Sequence, residues 1–338
     1  MSLITFLNDN YPILVDFLGN DYICNLFNPL EEILKSDNSV ENKLIILTDE
    51  MSLKEERCFE TESENDLLKD IVLHSYFSIA KSEATDKILQ ILDKNIENIK
   101  PKFQETKLRS IKQKIKDPNN IIQTIHEIYA TNILSNIADG IDIEVPNPDR
   151  PQNNFDIQAN IDNELLNIEV TTRRDEFPYS TDGVASRSTI SPAFQNHRES
   201  NTNNNINYDP IPESEDLRRK LLNKAVRQLP RQGINIIAIG YIQGGSPEYY
   251  VDCALLGDIE YKIVKDNKTF TSEDSLIKNR VPNGLYREEE LDFEHISAVM
   301  LISPLDHIGN IWINQSRKLL DNIKDSLINE FNLKDMIK

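Results

Sequence analysis

Apolar residues recur at Ile121, Ile122, Ile125, Tyr129 and Ile133 with helical spacing, which predicts a helix. Asp117 followed by Pro118 supplies an N-cap and a favoured first helical residue, and Gly140 offers a stop. Glu127 falls in mid-helix on a different face, in line with Thr124 and Thr131. The period then changes. A short run over residues 141–145 leads into residues 154–161 and 164–172, which alternate apolar and polar like half-buried strands.

These two alternating segments read as a hairpin if Asp162-Asn163 is its two-residue turn. Phe155 then faces Val170, Ile157 faces Ile168 and Ala159 faces Leu166, one coherent apolar side. On the other side Gln158 opposes Asn167, and Asp156 opposes Glu169, with Thr171 two residues further on. Carboxylates directly across a ladder stand about 5 Å apart at Cβ and repel each other. A divalent cation turns that cost into a gain, and an all-oxygen ligand set suits Mg²⁺ or Mn²⁺.

Around this centre the chain reads as α/β. Residues 1–35 predict one or two short helices, and residues 66–81 and 82–100 show further helical patterns. Pro101 marks a break, dividing a helical N-terminal region, 1–100, from a second unit, 101–338. A basic helical run over residues 102–116 carries Lys102, Lys107, Arg109, Lys112, Lys114 and Lys116; it is a solvated face or a track for a phosphate backbone. A long polar loop, residues 173–215, follows the hairpin. Residues 216–230 form a helix with Lys220, Lys224, Arg227, Gln228 and Arg231 on one side and Leu221, Leu222, Ala225 and Leu229 towards the core. Residues 233–240 and 296–303 are nearly continuous apolar runs, suited to buried strands of a mixed or parallel sheet. Residues 316–331 are amphipathic and cover the sheet or form a dimer contact.

Charge narrows the range of partners. The net charge is −19, and residues 1–100 carry 9 basic and 20 acidic side chains. That argues against indiscriminate nucleic-acid binding, most of all by the N-terminal third, but leaves room for a local basic cleft. No apolar run approaches the ~20 residues that span a bilayer, and the N-terminus lacks the basic region of a secretory signal. Cys24, Cys58 and Cys253 are too scattered for a zinc site or disulfide framework, so a cytoplasmic setting is expected. The five histidines form no H-E-x-x-H pair, and no phosphate loop or serine elbow is present.

The helix bearing Glu127, followed by "NNFDIQANIDNELLNIEVTT", resembles the PD-(D/E)XK nuclease superfamily. Asp156 and Glu169 match the acidic residues of the family's second and third strands, while Thr171 stands where the family usually has lysine. The resemblance implies a restriction-endonuclease-like mixed sheet flanked by helices, after the helical N-terminal region. It implies that Asp156, Glu169 and the Val170 carbonyl hold Mg²⁺ or Mn²⁺, and that Glu127 serves a second ion or a coordinated water. The helix after the third strand supplies a relocated lysine or a glutamine in some branches, which makes Lys224 and Gln228 candidates for the role left open at Thr171. The implied activity is metal-dependent hydrolysis of phosphodiester bonds, with double-stranded DNA the first choice of substrate, a restriction or defence endonuclease the first choice of role, and a homodimer a candidate assembly. The alternative is a nuclease fold without catalysis, serving as a nucleic-acid-binding or assembly module; Thr171 and the acidic balance favour it.

Overall fold

The computed structural model describes residues 3–35, 82–117, 120–172, 212–241, 247–264, 275–281, 283–286, 292–305, 308–317 and 319–336. The helix expected over 66–81, most of the loop expected over 173–215, Pro118, Cys58, His74, His197 and His307 lie outside these residues.

The chain begins with helices α1 (Leu3–Asn10), α2 (Pro12–Leu18) and α3 (Asn20–Lys35), three where one or two were expected. Then come α4 (Ser82–Ile99), a short 3₁₀ turn at Lys100–Lys102, α5 (Glu105–Ile115) and α6 (Ile121–Ile137). Strands β1 (Gly140–Asn147), β2 (Arg150–Ile161) and β3 (Glu164–Thr172) form an antiparallel meander. Helix α7 (Pro212–Arg227) precedes β4 (Ile234–Gly240), and α8 (Pro247–Leu256) precedes a separate hairpin of β5 (Ile259–Val264) and β6 (Ser275–Arg280). The chain closes with β7 (Ile296–Ile302), β8 (Gly309–Ile313), α9 (Asp321–Glu330) and β9 (Leu333–Asp335).

The result is an α/β protein with a seven-stranded mixed sheet in the order β1-β2-β3-β4-β7-β8-β9. Pairs β3–β4, β4–β7 and β8–β9 are parallel, and the others antiparallel. The two apolar runs seen in the sequence become β4 and β7 at its centre. Buried on both faces, they have no reason to alternate.

Each face of the sheet carries its own apolar layer. On one, Ile168, Val170, Ile236, Ala238 and Met300 pack with residues of α1–α6 and α9. On the other, Ile237, Ile239, Val299, Leu301 and Trp312 pack with Leu217, Leu221 and Ala225 of α7 and Val251, Ala254 and Leu255 of α8. The first layer is continuous from Leu7 to Leu333, so the helices before residue 100 share it with the sheet. The amphipathic C-terminal segment covers this face: Ile323 and Leu327 are buried in it, and Phe331 meets Tyr129 edge-on at 6.2 Å between ring centroids. Its helix starts at Asp321, later than the apolar pattern suggests.

Helix α7 spans Pro212–Arg227 rather than 216–230, and both ends of α6 differ from expectation. Helix α6 starts at Ile121, with Asn120 rather than Asp117 in the N-cap position and no side-chain cap. Asp117 instead takes the Asn120 side-chain amide at 2.6 Å. At the other end the helix stops at Ile137, and Gly140 opens β1. Helix α6 is buried nearly all round, including the polar line Thr124, Glu127 and Thr131. Its depth is set at Gly240, the end of β4: a Cβ there would lie 2.2 Å from the His126 ring, so only glycine lets that ring seat against the sheet. Glu127 is the next residue.

Candidate metal centre

The hairpin turn forms as expected. Asp162 and Asn163 both have positive φ, 54° and 65°, the left-handed pair a type I′ turn requires. The register is the expected one over Ile157↔Ile168, Gln158↔Asn167, Ala159↔Leu166, Asn160↔Leu165 and Ile161↔Glu164.

The ladder then stops one residue short of Asp156. Counting outward from the turn, Phe155 and Val170 should form a hydrogen-bonded pair. Instead the Val170 N–H donates to Asp156 Oδ2 at 2.8 Å. A side chain has replaced a main-chain carbonyl, and β2 leaves β3 at this point. The expectation that Phe155 and Val170 share one apolar face is therefore wrong. Phe155 packs on the α7 side of the sheet, Val170 on the α6 side.

A second irregularity lies on β1. Glu144 stands between Ile143↔Ile157 and Val145↔Phe155, opposite Asp156, but has φ of 51°. A left-handed glutamate is uncommon and costs conformational energy. It breaks the alternation as well: Ile143 packs in the α6-side layer and Val145 against the α7-side layer. Lys107 of α5 donates to the carbonyls of Ile143 and, at 3.2 Å, Glu144, which braces this kink.

Where β2 parts from β3, four carboxylates gather. Oxygens of Glu127 (α6), Glu144 (β1) and Asp156 (β2) lie within 4.8 Å of one another. Lys114, in the last turn of α5, sits among them: its Nζ is 2.8 Å from Glu127 Oε2, in contact with Glu144 Oε1, and 3.6 Å from Asp156 Oδ1. Gln123 fixes the other Glu127 oxygen at 2.9 Å. The fourth carboxylate, Glu169 on β3, is 2% exposed and accepts a hydrogen bond from Lys224 Nζ at 2.5 Å. Its Oε2 is buried with no partner, as is the hydroxyl of Thr171.

The electrostatics follow from this crowding. Burial, with the Glu127 and Glu169 charges, holds the Asp156 carboxyl well above its usual range. Burial pushes Glu169 up to about 7, although Lys224 pulls the other way. Burial lowers both lysines, but the carboxylates more than offset it and leave Lys114 and Lys224 firmly protonated. Four carboxylates thus face two ammonium groups, a residual charge of two negatives when all are ionised. Hard oxygen donors, an unpartnered buried carboxylate oxygen and a deficit of two positive charges fit Mg²⁺ or Mn²⁺. The Val170 carbonyl leaves its strand on the same side as the Val170 N–H, towards the same gap.

Of the residues singled out in the sequence, Glu127, Asp156, Glu169 and Lys224 meet here. Gln228 does not join the carboxylates. It lines a groove of about 420 Å³ with Asp216, Arg219, Lys220, Asn223, Lys224 and Arg227, and its Oε1 is buried without a hydrogen bond. Sequence reasoning missed Glu144 and left Lys114 as an unremarked member of a basic run. Lys107 and Lys114 are seven residues apart, hence on one helix face, and both reach β1; that spacing was the available signal.

Comparison of the chain with protein-family models, with curated proteins and with solved structures finds no match. Among the described residues no helix is long and apolar enough to cross a membrane.

Proposed function

We propose that the protein is a metal-dependent nuclease of PD-(D/E)XK type, hydrolysing phosphodiester bonds of DNA at the centre formed by Glu127, Asp156, Glu169 and Lys224. The observation that carries this reading is the buried carboxylate group at the parting of β2 and β3, with the Glu169 oxygen left unpartnered. The helix–strand–strand–strand–helix order from α6 to α7 and the parallel β3–β4 pair add to the resemblance.

A divalent ion held by Asp156, Glu169 and the Val170 carbonyl would polarise the scissile phosphate and favour ionisation of the attacking water. The chain's own groups do the rest. Lys224 offers a positive charge beside Glu169, from a helix rather than from the strand position that Thr171 occupies. Glu127, held by Gln123, faces the same space. The groove along α7 leads to Lys224 and is bordered by Arg219, Lys220 and Arg227, which suits a phosphodiester backbone. A local basic groove of this kind is compatible with an acidic chain, since the −19 balance is weighted to residues 1–100.

The second reading, a binding module without catalysis, draws support from Thr171, whose buried hydroxyl has no charge to lend. The test is cleavage of plasmid DNA and of RNA with Mg²⁺ or Mn²⁺, beside Asp156→Ala. Metal-dependent cleavage by the wild type that Asp156→Ala abolishes is the expected result. Absence of cleavage on every substrate overturns the nuclease and leaves the binding module.

A further inference from the structure

Lys114 occupies the place where a cation is wanted. Its ammonium touches Glu127 and Glu144 and lies 3.6 Å from Asp156, so it contacts the same three side chains whose oxygens lie within 4.8 Å of one another. Ligands on opposite sides of Mg²⁺ are separated by about 4.2 Å, twice the usual metal–oxygen distance. A small closure of these side chains therefore suffices to grip an ion. One ammonium supplies one charge to three carboxylates; a divalent ion in its place removes one positive charge and adds two. Three further features single out this place. Glu144 is aimed into it by a left-handed backbone that no turn requires. Glu169 Oε2 nearby is buried and unpartnered. Lys114 is itself 27% exposed along a flexible stem, so it has a route to solvent.

We propose that Glu127, Glu144 and Asp156 form a divalent-cation site in which the Lys114 ammonium keeps the ion's place, and that lysine and ion exchange for one another. Glu144 is then a ligand that the superfamily resemblance does not supply, and Lys114 sets the affinity of the site from within. Every ion that binds displaces a charge-assisted hydrogen-bonded ammonium, so the site binds more weakly than its donors alone would allow. The proposal rests on reading this cluster as a metal centre but not on the reaction carried out there.

The test is titration of the purified full-length protein with Mn²⁺ alone, read by calorimetry, for the wild type, Lys114→Met, Lys114→Arg and Glu144→Gln. Lys114→Met removes the competitor while keeping the stem, and is expected to bind Mn²⁺ about tenfold tighter or more. Lys114→Arg places a two-pronged guanidinium on the same carboxylates and is expected to bind about tenfold more weakly. Glu144→Gln is expected to weaken binding by a similar factor. Lys114→Met that is folded by circular dichroism yet binds no more tightly than the wild type overturns the proposal, as does unchanged affinity in Glu144→Gln. If Lys114→Met fails to fold without metal, Lys114→Arg decides, and wild-type affinity there overturns it. Mn²⁺ binding by none of the four proteins also overturns it. Cleavage is not read, so these affinity ratios stand whether or not the protein proves to be a nuclease.

Discussion

Two buried ionic clusters each take a basic side chain from α7, and they are built differently. Around Asp258, one carboxylate oxygen takes Ser214 Oγ at 2.6 Å and Arg218 Nη2 at 2.5 Å, and the other takes the Asn283 amide at 2.9 Å. Both Asp258 oxygens are used; Arg218 also meets Glu215 at the surface, and within this cluster only its Nε lacks a partner. Around Glu127, Glu144, Asp156 and Glu169 carboxyl groups outnumber ammonium groups four to two, an oxygen is orphaned and a backbone is left-handed. The first cluster ties α7 to the segments at Asp258 and Asn283 and asks for nothing more. The second leaves a buried oxygen unpartnered and a backbone strained, and on the reading proposed above a divalent ion offsets that cost.

The largest effect expected from this contrast is on stability. Asp258→Ala takes from the Arg218 guanidinium its buried partner, leaving only Glu215 at the surface, and should cost about 3–5 kcal/mol in urea unfolding. Asp156→Ala, without metal, loses the Val170 N–H bond but relieves repulsion from Glu127 and Glu169, and should cost under about 1 kcal/mol. Equal losses would erase the distinction between the clusters. Next comes Lys224→Ala, which should lower cleavage about 10²–10³-fold while the protein stays folded, since a positive charge at developing phosphate charge contributes on that scale. A loss of a fewfold that vanishes at low salt would reduce Lys224 to a backbone contact.

The smallest effect is in pH. Glu169 holds its proton to about 7 in the folded protein against an ordinary 4.5. The folded state therefore binds this proton more tightly than the unfolded chain. Its contribution favours folding fully below about 4.5 and is lost as pH rises through about 7. The metal-free protein should show this as a melting temperature that declines across the interval relative to Glu169→Gln. Mn²⁺ affinity should climb over the same interval, because the ion needs the carboxylate ionised. Parallel melting curves for the two proteins would remove Glu169 from the account.

The difference between the clusters also explains what the sequence disclosed. The hairpin was legible because Asp162-Asn163 chooses its turn and alternation fixes its register from Ile161↔Glu164 to Ile157↔Ile168; the expected Asp156–Glu169 rung lies just past the end of that ladder. Lys224 was reached through the superfamily resemblance, its helix face alone giving only a basic stripe. The break in the ladder was not legible. Phe155 has the right parity for one face and packs on the other, because Asp156 takes a hydrogen bond that parity reserves for the main chain. Glu144 carries no local sign of its conformation, since positive φ is announced by glycine or asparagine and not by glutamate. Lys114 looked like its basic neighbours; tertiary packing of α5 against β1 turns it inward. Periodicity reads regular elements, and the site lies where regularity fails.

The central claim, that the unbalanced cluster is completed by a divalent ion, is tested most directly by thermal melts with and without Mn²⁺. The wild type should be stabilised, by about 2.7 kcal/mol at a hundredfold excess over Kd. The double variant Asp156→Ala, Glu169→Ala should show no such gain. An equal shift in both proteins, or none in the wild type, would contradict the account.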